Sequence, residues 1–316
     1  MISAAIDIGT VTCRLFVAEG ESRIERELLR ECRITNLGIG VSQTGVLSFE
    51  AIDRVVECVM AYKALCDLIA HDEGLDEIPI TAVATSAARD AKNADELIDR
   101  LAQVGIVLDV IPGALEAELS FRGASIDFPD EQIVVVDVGG GSTEFILGSA
   151  ERGVEFARSF DIGCRRITEM FIQSDPPSEN ELVAARDYVL KSFAPLLEII
   201  ARLHPVQRVV AVAGTATSVV SVDLAMEPYD PARVHKAIVP RETLDAVFRL
   251  LASMTEEQRK EVVGLEPKRA SVIVAGMLIL QCALQVLGQT SFTVSESDIL
   301  QGIIMTAWEK NRARMR

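Results

Sequence analysis

Three consecutive glycines and two hydroxyl residues, Gly139-Gly140-Gly141-Ser142-Thr143, lie between two carboxylates, Asp137 and Glu144. A glycine run at a tight turn gathers several backbone N–H groups with no side chain in the way, which is how a phosphate is held. The same run also reads as an ordinary hairpin turn. Its flanking carboxylates change the weighing, because two negative groups beside a phosphate cradle repel the ligand unless a hard cation such as Mg²⁺ lies between them. Asp7-Ile8-Gly9-Thr10-Val11-Thr12 repeats the layout with one glycine, and Arg14 just beyond could add a charge-assisted contact to a phosphate held at Thr10, Val11 and Thr12. Two such loops on opposed halves would grip a phosphate chain from both sides.

Ala84-Thr85-Ser86-Ala87-Ala88-Arg89-Asp90-Ala91-Lys92-Asn93 packs small and hydroxyl residues around an arginine and a lysine, directly after the strand-like stretch 80–83. The planar fork of Arg89 suits a phosphate, with the Ser86 hydroxyl nearby; a strand-to-helix corner with a solvated basic face is the plainer alternative. Gly113-Ala114-Leu115-Glu116-Ala117-Glu118 opens a helix after the apolar stretch 108–111. Glutamates in a first helical turn commonly just complement the helix dipole. A single carboxylate near a metal-bound phosphate is nevertheless what a hydrolase needs to take a proton from water. His71, His204 and His235 lack metal-ligand spacing, which disfavours a Ser-His-Asp hydrolase, and the G-x-x-x-x-G-K-[ST] loop is absent.

The elements that must position these residues are legible in the apolar pattern. Residues 3–19 and 132–148 each read as two strands joined at one of the glycine loops, and the strand 209–213 runs into Gly214-Thr215-Ala216-Thr217-Ser218 and a helix. Helices are expected over 48–70, with Ile52, Val55, Val56, Val59, Leu65 and Ile69 on one face, and over 178–204, opening with a Ser178/Glu181 capping box. Thr255/Gln258 offers a second box. The apolar stretch 270–287 is interrupted by Ser271, Gly276, Gln281 and Gln285 and reads as a buried core helix rather than a membrane span. These patterns predict two α/β halves, residues 1–125 and 126–296, with the terminal helix 297–316 crossing back onto the first.

At 316 residues the chain is about twice a usual single domain, and 49% hydrophobic with 25% charged residues is ordinary for a globular protein. A formal charge of −16 argues against sequence-independent binding to nucleic acid or an anionic membrane, so an anionic substrate must meet a local basic pocket. The six cysteines form no C-x-x-C pair and no signal-type apolar run precedes Asp7, so a reduced cytoplasm is the expected setting.

Taken in order, these segments resemble the exopolyphosphatase and guanosine pentaphosphate phosphohydrolase family, a branch of the actin-like, Hsp70-like and sugar-kinase-like ATPase superfamily. The strongest matches are the segment from Ala84 to Asn93 and Val136-Asp137-Val138-Gly139-Gly140-Gly141-Ser142-Thr143-Glu144. The segment from Ser159 to Glu169, Gly214-Thr215-Ala216-Thr217-Ser218 and Arg269-Ala270-Ser271-Val272-Ile273-Val274-Ala275-Gly276 support them. The resemblance implies an α/β fold of two actin-like (ribonuclease H-like) domains with an interdomain cleft. It places the catalytic base on Glu116, Mg²⁺ on Asp137 and Glu144, and the phosphates on Arg89 and the two loops. The implied substrate is inorganic polyphosphate or guanosine pentaphosphate, and a homodimer is common in such families.

The chain departs from the family at four places: Val11 stands where Asn is usual, Leu115 replaces the first glutamate of a pair, Glu118 stands where arginine is common, and Asp298-Ile299-Leu300-Gln301-Gly302 replaces Gly-Leu-Arg-Glu-Gly. The additional C-terminal helical domains of long members are not expected here, which together with the acidic charge suggests short polyphosphates cleaved distributively. A non-hydrolytic alarmone-binding regulator is the rival reading, and a sugar or acetate kinase a third that the glutamate base argues against.

Overall fold

The computed structural model describes residues 1–200 and 206–315. It divides into two units, Met1–Gly123 with Asp298–Arg316, and Ala124–Ser297.

In the first unit, strands β1 (Ile2–Ile8), β2 (Thr12–Gly20), β3 (Ile24–Ile34), β4 (Ile80–Ala84) and β5 (Leu108–Val110) form a sheet of order β3-β2-β1-β4-β5. The pairs β1–β2 and β2–β3 are antiparallel, while β4 runs parallel to both β1 and β5. Side chains alternate across a strand, and β1 obeys this: Ala4, Ile6 and Ile8 join Ile52, Val55, Val59 and Tyr62 of the helix Phe49–Asp72, while Ala5 joins Trp308 and Ile304 on the other face. The helix Ile299–Met315 therefore covers the sheet of this unit, with Trp308 Nε1 donating to Ser3 Oγ at 2.9 Å. Its approach to the helix Gly113–Ser125 requires glycine, since a Cβ on Gly302 would lie 2.0 Å from the Leu119 carbonyl oxygen.

In the second unit, β6 (Ile133–Val138), β7 (Thr143–Ser149), β8 (Gly153–Phe160), β9 (Arg208–Val212), β10 (Ile238–Pro240) and β11 (Ser291–Val294) form a sheet of order β10-β11-β9-β6-β7-β8. Again an antiparallel meander, β6-β7-β8, adjoins parallel strands, β6-β9-β11. The helix Ile273–Leu287 lies in the core with all of its residues except Gln285 buried, as its apolar sequence predicts. No helix among the described residues is long and apolar enough to cross a membrane.

Both capping boxes form, at Ser178/Glu181 and Thr255/Gln258. The single helix expected over 178–204 does not: the first helix is Glu179–Phe193 and a second, Pro195–Ile200, follows. Pro195 has no N–H to continue the ladder and its ring crowds the preceding turn. Residues 201–205, including His204, lie outside the described residues. Strands β3 and β8, absent from the sequence reading, complete the two meanders as sheet edges.

Candidate active site

In both units the loops that follow the parallel strands gather at one end of the sheet, where ligands of open α/β sheets bind. In the first unit, Ile8 pairs with Ala84 and Ala84 with Val110, so the loop after β1, the helix Ser86–Asp90 after β4 and the helix Gly113–Ser125 after β5 start side by side. The loop is shaped by its carbonyls. Val11 O accepts from Thr35 N and Asn36 N at 3.0 and 2.9 Å, and Thr10 O from Gly38 N at 2.8 Å. Because a trans peptide points its N–H opposite its C=O, the amides of Val11 and Thr12 face away from that contact. A Cβ on Gly38 would lie 2.2 Å from Thr10 Cγ2, so glycine is needed for this approach. Val11 itself is buried and apolar, so at this position the loop offers a backbone donor and no side-chain donor.

Glu116 and Arg89 meet directly. Arg89 Nη1 donates to Glu116 Oε2 at 2.9 Å and to the Ile111 carbonyl at 3.1 Å, and Glu116 is only 8% exposed. The contact fixes the orientation of the carboxylate, as a general base requires. Ser86 is buried at the start of the same short helix, and its Oγ has no hydrogen-bond partner among the described residues.

Arg14 goes elsewhere. Its Nε and Nη2 donate to Asp7 Oδ2 at 3.0 and 2.7 Å, and its Nη1 pairs with Asp298. Burial opposes the Arg14 charge, but Asp298 and Asp7 outweigh it and hold the guanidinium well above its ordinary value. Burial pushes Asp7 up despite Arg14. Expected as a phosphate contact, Arg14 here neutralises two buried carboxylates.

The second unit repeats the loop device with three carbonyls. Cys164 N donates to Gly139 O at 2.9 Å, Arg165 N to Gly140 O at 2.8 Å, and Arg166 Nε to Gly141 O at 3.0 Å. The amides of Gly140, Gly141 and Ser142 therefore point away from those contacts, where an anion could meet them. Gly163 makes the approach possible, since a Cβ there would lie 2.4 Å from the Gly140 backbone. Thr143 is fully buried with its Oγ1 donating to the Ile162 carbonyl at 2.5 Å, so its side chain secures the loop rather than facing a ligand. Beyond β9, the guanidinium of Arg269 occupies the space over Gly214, 1.5 Å from where a Cβ would stand. Arg269 and Gly214 are far apart in sequence, and the fold brings them together.

The register also decides how the two hairpins differ. Asp7 lies directly opposite Arg14 across β1–β2, whereas Asp137 lies opposite Glu144 across β6–β7. Like charges directly opposite destabilise a pair of strands. The first hairpin carries its own cation; the second has two carboxylates, both buried, with Glu144 Oε1 accepting from Ser159 Oγ at 2.6 Å. Two oxygen donors of this kind fit Mg²⁺, which is usually held by one or two carboxylates with waters and substrate phosphates as its other ligands. No cluster of three or more His, Cys, Asp or Glu suited to a metal occurs among the described residues, so any cation here depends on such outside ligands.

The Ppx/GppA phosphatase family model matches residues 17–311. Exopolyphosphatase 2 of Mycobacterium tuberculosis is 39% identical over 319 residues, covering 96% of this chain and 97% of its own. Among solved structures, the Aquifex aeolicus member of the Ppx/GppA family matches with a TM-score of 0.79 at 30% identity, over 98% of each chain. An exopolyphosphatase from Cytophaga hutchinsonii matches with a TM-score of 0.87 at 26% identity, also over 98% of each chain. The two-unit α/β architecture expected from the sequence is that of these enzymes.

Proposed function

Because the chain belongs to the Ppx/GppA phosphatase family, we propose that it releases terminal orthophosphate from inorganic polyphosphate, with guanosine pentaphosphate as the alternative substrate. The observation that carries the reading is the Arg89–Glu116 pair, a buried carboxylate held by a guanidinium in the unit whose loop after β1 turns its amides out for an anion.

In the proposed mechanism Glu116 Oε orients the attacking water and takes its proton as the water oxygen bonds to the terminal phosphorus, while the bridging P–O bond breaks and the shortened chain leaves with the bridging oxygen. Arg89 holds Glu116 through Nη1, and its remaining N–H groups are available to the terminal phosphoryl oxygens. In the first unit the amides of Val11 and Thr12 would hold phosphate oxygens and stabilise the charge of the transferring group, and in the second unit the amides of Gly140, Gly141 and Ser142 offer an anion donors of the same kind. Asp137 and Glu144 would hold Mg²⁺, which when bound neutralises phosphate charge. No residue need form a covalent intermediate.

The test is phosphate release from polyphosphates of several lengths, guanosine pentaphosphate and ATP, with and without Mg²⁺. Asp137→Ala and Glu144→Ala are each expected to raise the Mg²⁺ concentration needed for activity, since the ion then rests on a single carboxylate, waters and substrate. Activity indifferent to chelator, or variants with an unaltered Mg²⁺ response, would remove the metal from the mechanism. A non-hydrolytic alarmone-binding regulator is the rival, motivated by the side-chain donor missing at Val11 and by Leu115 and Glu118, which alter the charge around Glu116; sustained phosphate release rejects it.

A further inference from the structure

Ser159 stands in a row with the two carboxylates. Asp137 on β6 is directly opposite Glu144 on β7, and Glu144 is directly opposite Ser159 on the edge strand β8. Directly opposed residues share a face of the sheet, so the three side chains project together. The irregularity between β7 and β8 falls at Leu147/Gly148, away from this row. Glu144 is 1% exposed, and its Oε1 accepts from Ser159 Oγ at 2.6 Å.

We propose that Ser159 is a positioning residue for the cation site: its hydroxyl fixes the Glu144 carboxylate in the orientation that presents it, with Asp137, to Mg²⁺. The inference rests on the reading of Asp137 and Glu144 as the metal-holding pair. A flexible glutamate loses side-chain freedom when it takes up a ligand, and a donor that has already fixed it reduces that loss. Partners that orient a metal ligand from behind are worth about 10–100-fold in metal affinity. Ser159 supplies such a donor from the strand that ends just before the segment capping the glycine loop, at Cys164 N and Arg165 N.

The test titrates Mn²⁺, a paramagnetic stand-in for Mg²⁺, into the full chain at a fixed concentration of inorganic phosphate, which supplies the outside oxygen ligands, and reads free Mn²⁺ by electron paramagnetic resonance against a protein-free control. Wild type, Asp137→Ala, Ser159→Ala, Ser159→Thr and Ser159→Val are compared, each first shown by circular dichroism to be folded. Thr and Val have nearly the same shape and differ in the hydroxyl, so this pair isolates it even where alanine disturbs the strand. Ser159→Ala and Ser159→Val are expected to bind Mn²⁺ about 10-fold or more weakly, and Ser159→Thr to retain the affinity. The Mg²⁺ concentration giving half-maximal phosphate release should rise in parallel, with a much smaller change in kcat at saturating Mg²⁺. A purely structural serine would lower thermal stability and leave the Mn²⁺ affinity alone. If Asp137→Ala weakens Mn²⁺ binding and Ser159→Val does not, the positioning role is overturned while the metal site stands. If wild type and Asp137→Ala are alike in failing to bind Mn²⁺, the metal reading falls and this inference with it.

Discussion

At the scale of single residues, the chemistry rests on which charges are paired with which. Sequence identified Arg14, Arg89 and Glu116 as polar residues in the right segments, yet it could not show their partners. Arg89 and Glu116 are 27 positions apart and Arg14 and Asp298 are 284 apart, distances that only the fold closes. This is why Arg14 reads as a phosphate contact in the sequence and as a bridge between Asp7 and Asp298 in the structure. The bridge has a measurable consequence. Removing one member of a buried ion cluster leaves the others uncompensated, typically at a cost of about 3–5 kcal/mol. Arg14→Ala is therefore expected to destabilise the protein by about that amount in urea denaturation. Unchanged stability with a raised KM would return Arg14 to the phosphate.

Elements were legible where their apolar pattern was strong. Both hairpins, the helix Phe49–Asp72 and the buried helix Ile273–Leu287 follow from alternation, helical spacing and caps. Edge strands were not. β3 reads Ile24-Glu25-Arg26-Glu27-Leu28-Leu29-Arg30-Glu31 and so on, with alternating charge that suits a solvent-facing edge but gives no clean period-two apolar signal. The orientation of loop amides was hidden for a different reason, since it depends on carbonyl contacts with segments far along the chain. Tertiary contacts also hold the segments where the chain enters and leaves the second unit. Within that unit Asp127 lies 3.4 Å from His235 Nε2 and 3.5 Å from Lys236 Nζ, while His235 Nδ1 accepts from Glu296 N. Burial alone would raise the Asp127 pKa, but hydrogen bonds from His235 and Ser297 and the nearby positive charges hold it below the ordinary carboxylate value. A lowered folded value means stabilisation that is present above the ordinary carboxylate range and is lost as pH falls through the folded value. Asp127→Asn is thus expected to lower stability near neutral pH and to converge with wild type in acid. Parallel stability curves at every pH would show that the carboxylate charge contributes nothing there.

For the molecule as a whole, the acidic excess bears on how the proposed substrate is handled. A long polyphosphate is a dense polyanion, and following it along a surface requires an extended basic track that persists while its end is cleaved. A formal charge of −16 opposes such a track, and Arg14 and Arg166, two of the basic residues near the motifs, are engaged by Asp7, Asp298 and the Gly141 carbonyl. Distributive cleavage is expected: on a gel, long chains should shorten gradually as a population. Full-length chains that vanish without intermediates would reveal a basic track.

Each unit orders its own loops, but catalysis by the proposed route stands or falls on one carboxylate. Phosphate release from short polyphosphate at saturating Mg²⁺, measured for wild type beside Glu116→Gln, tests it most directly. The amide keeps the side chain's shape and cannot take the proton. Wild type should release phosphate steadily, and Glu116→Gln should lose about 10²–10⁴-fold in rate while binding polyphosphate with little change in affinity. Turnover in Glu116→Gln close to that of wild type would contradict the assignment of the base.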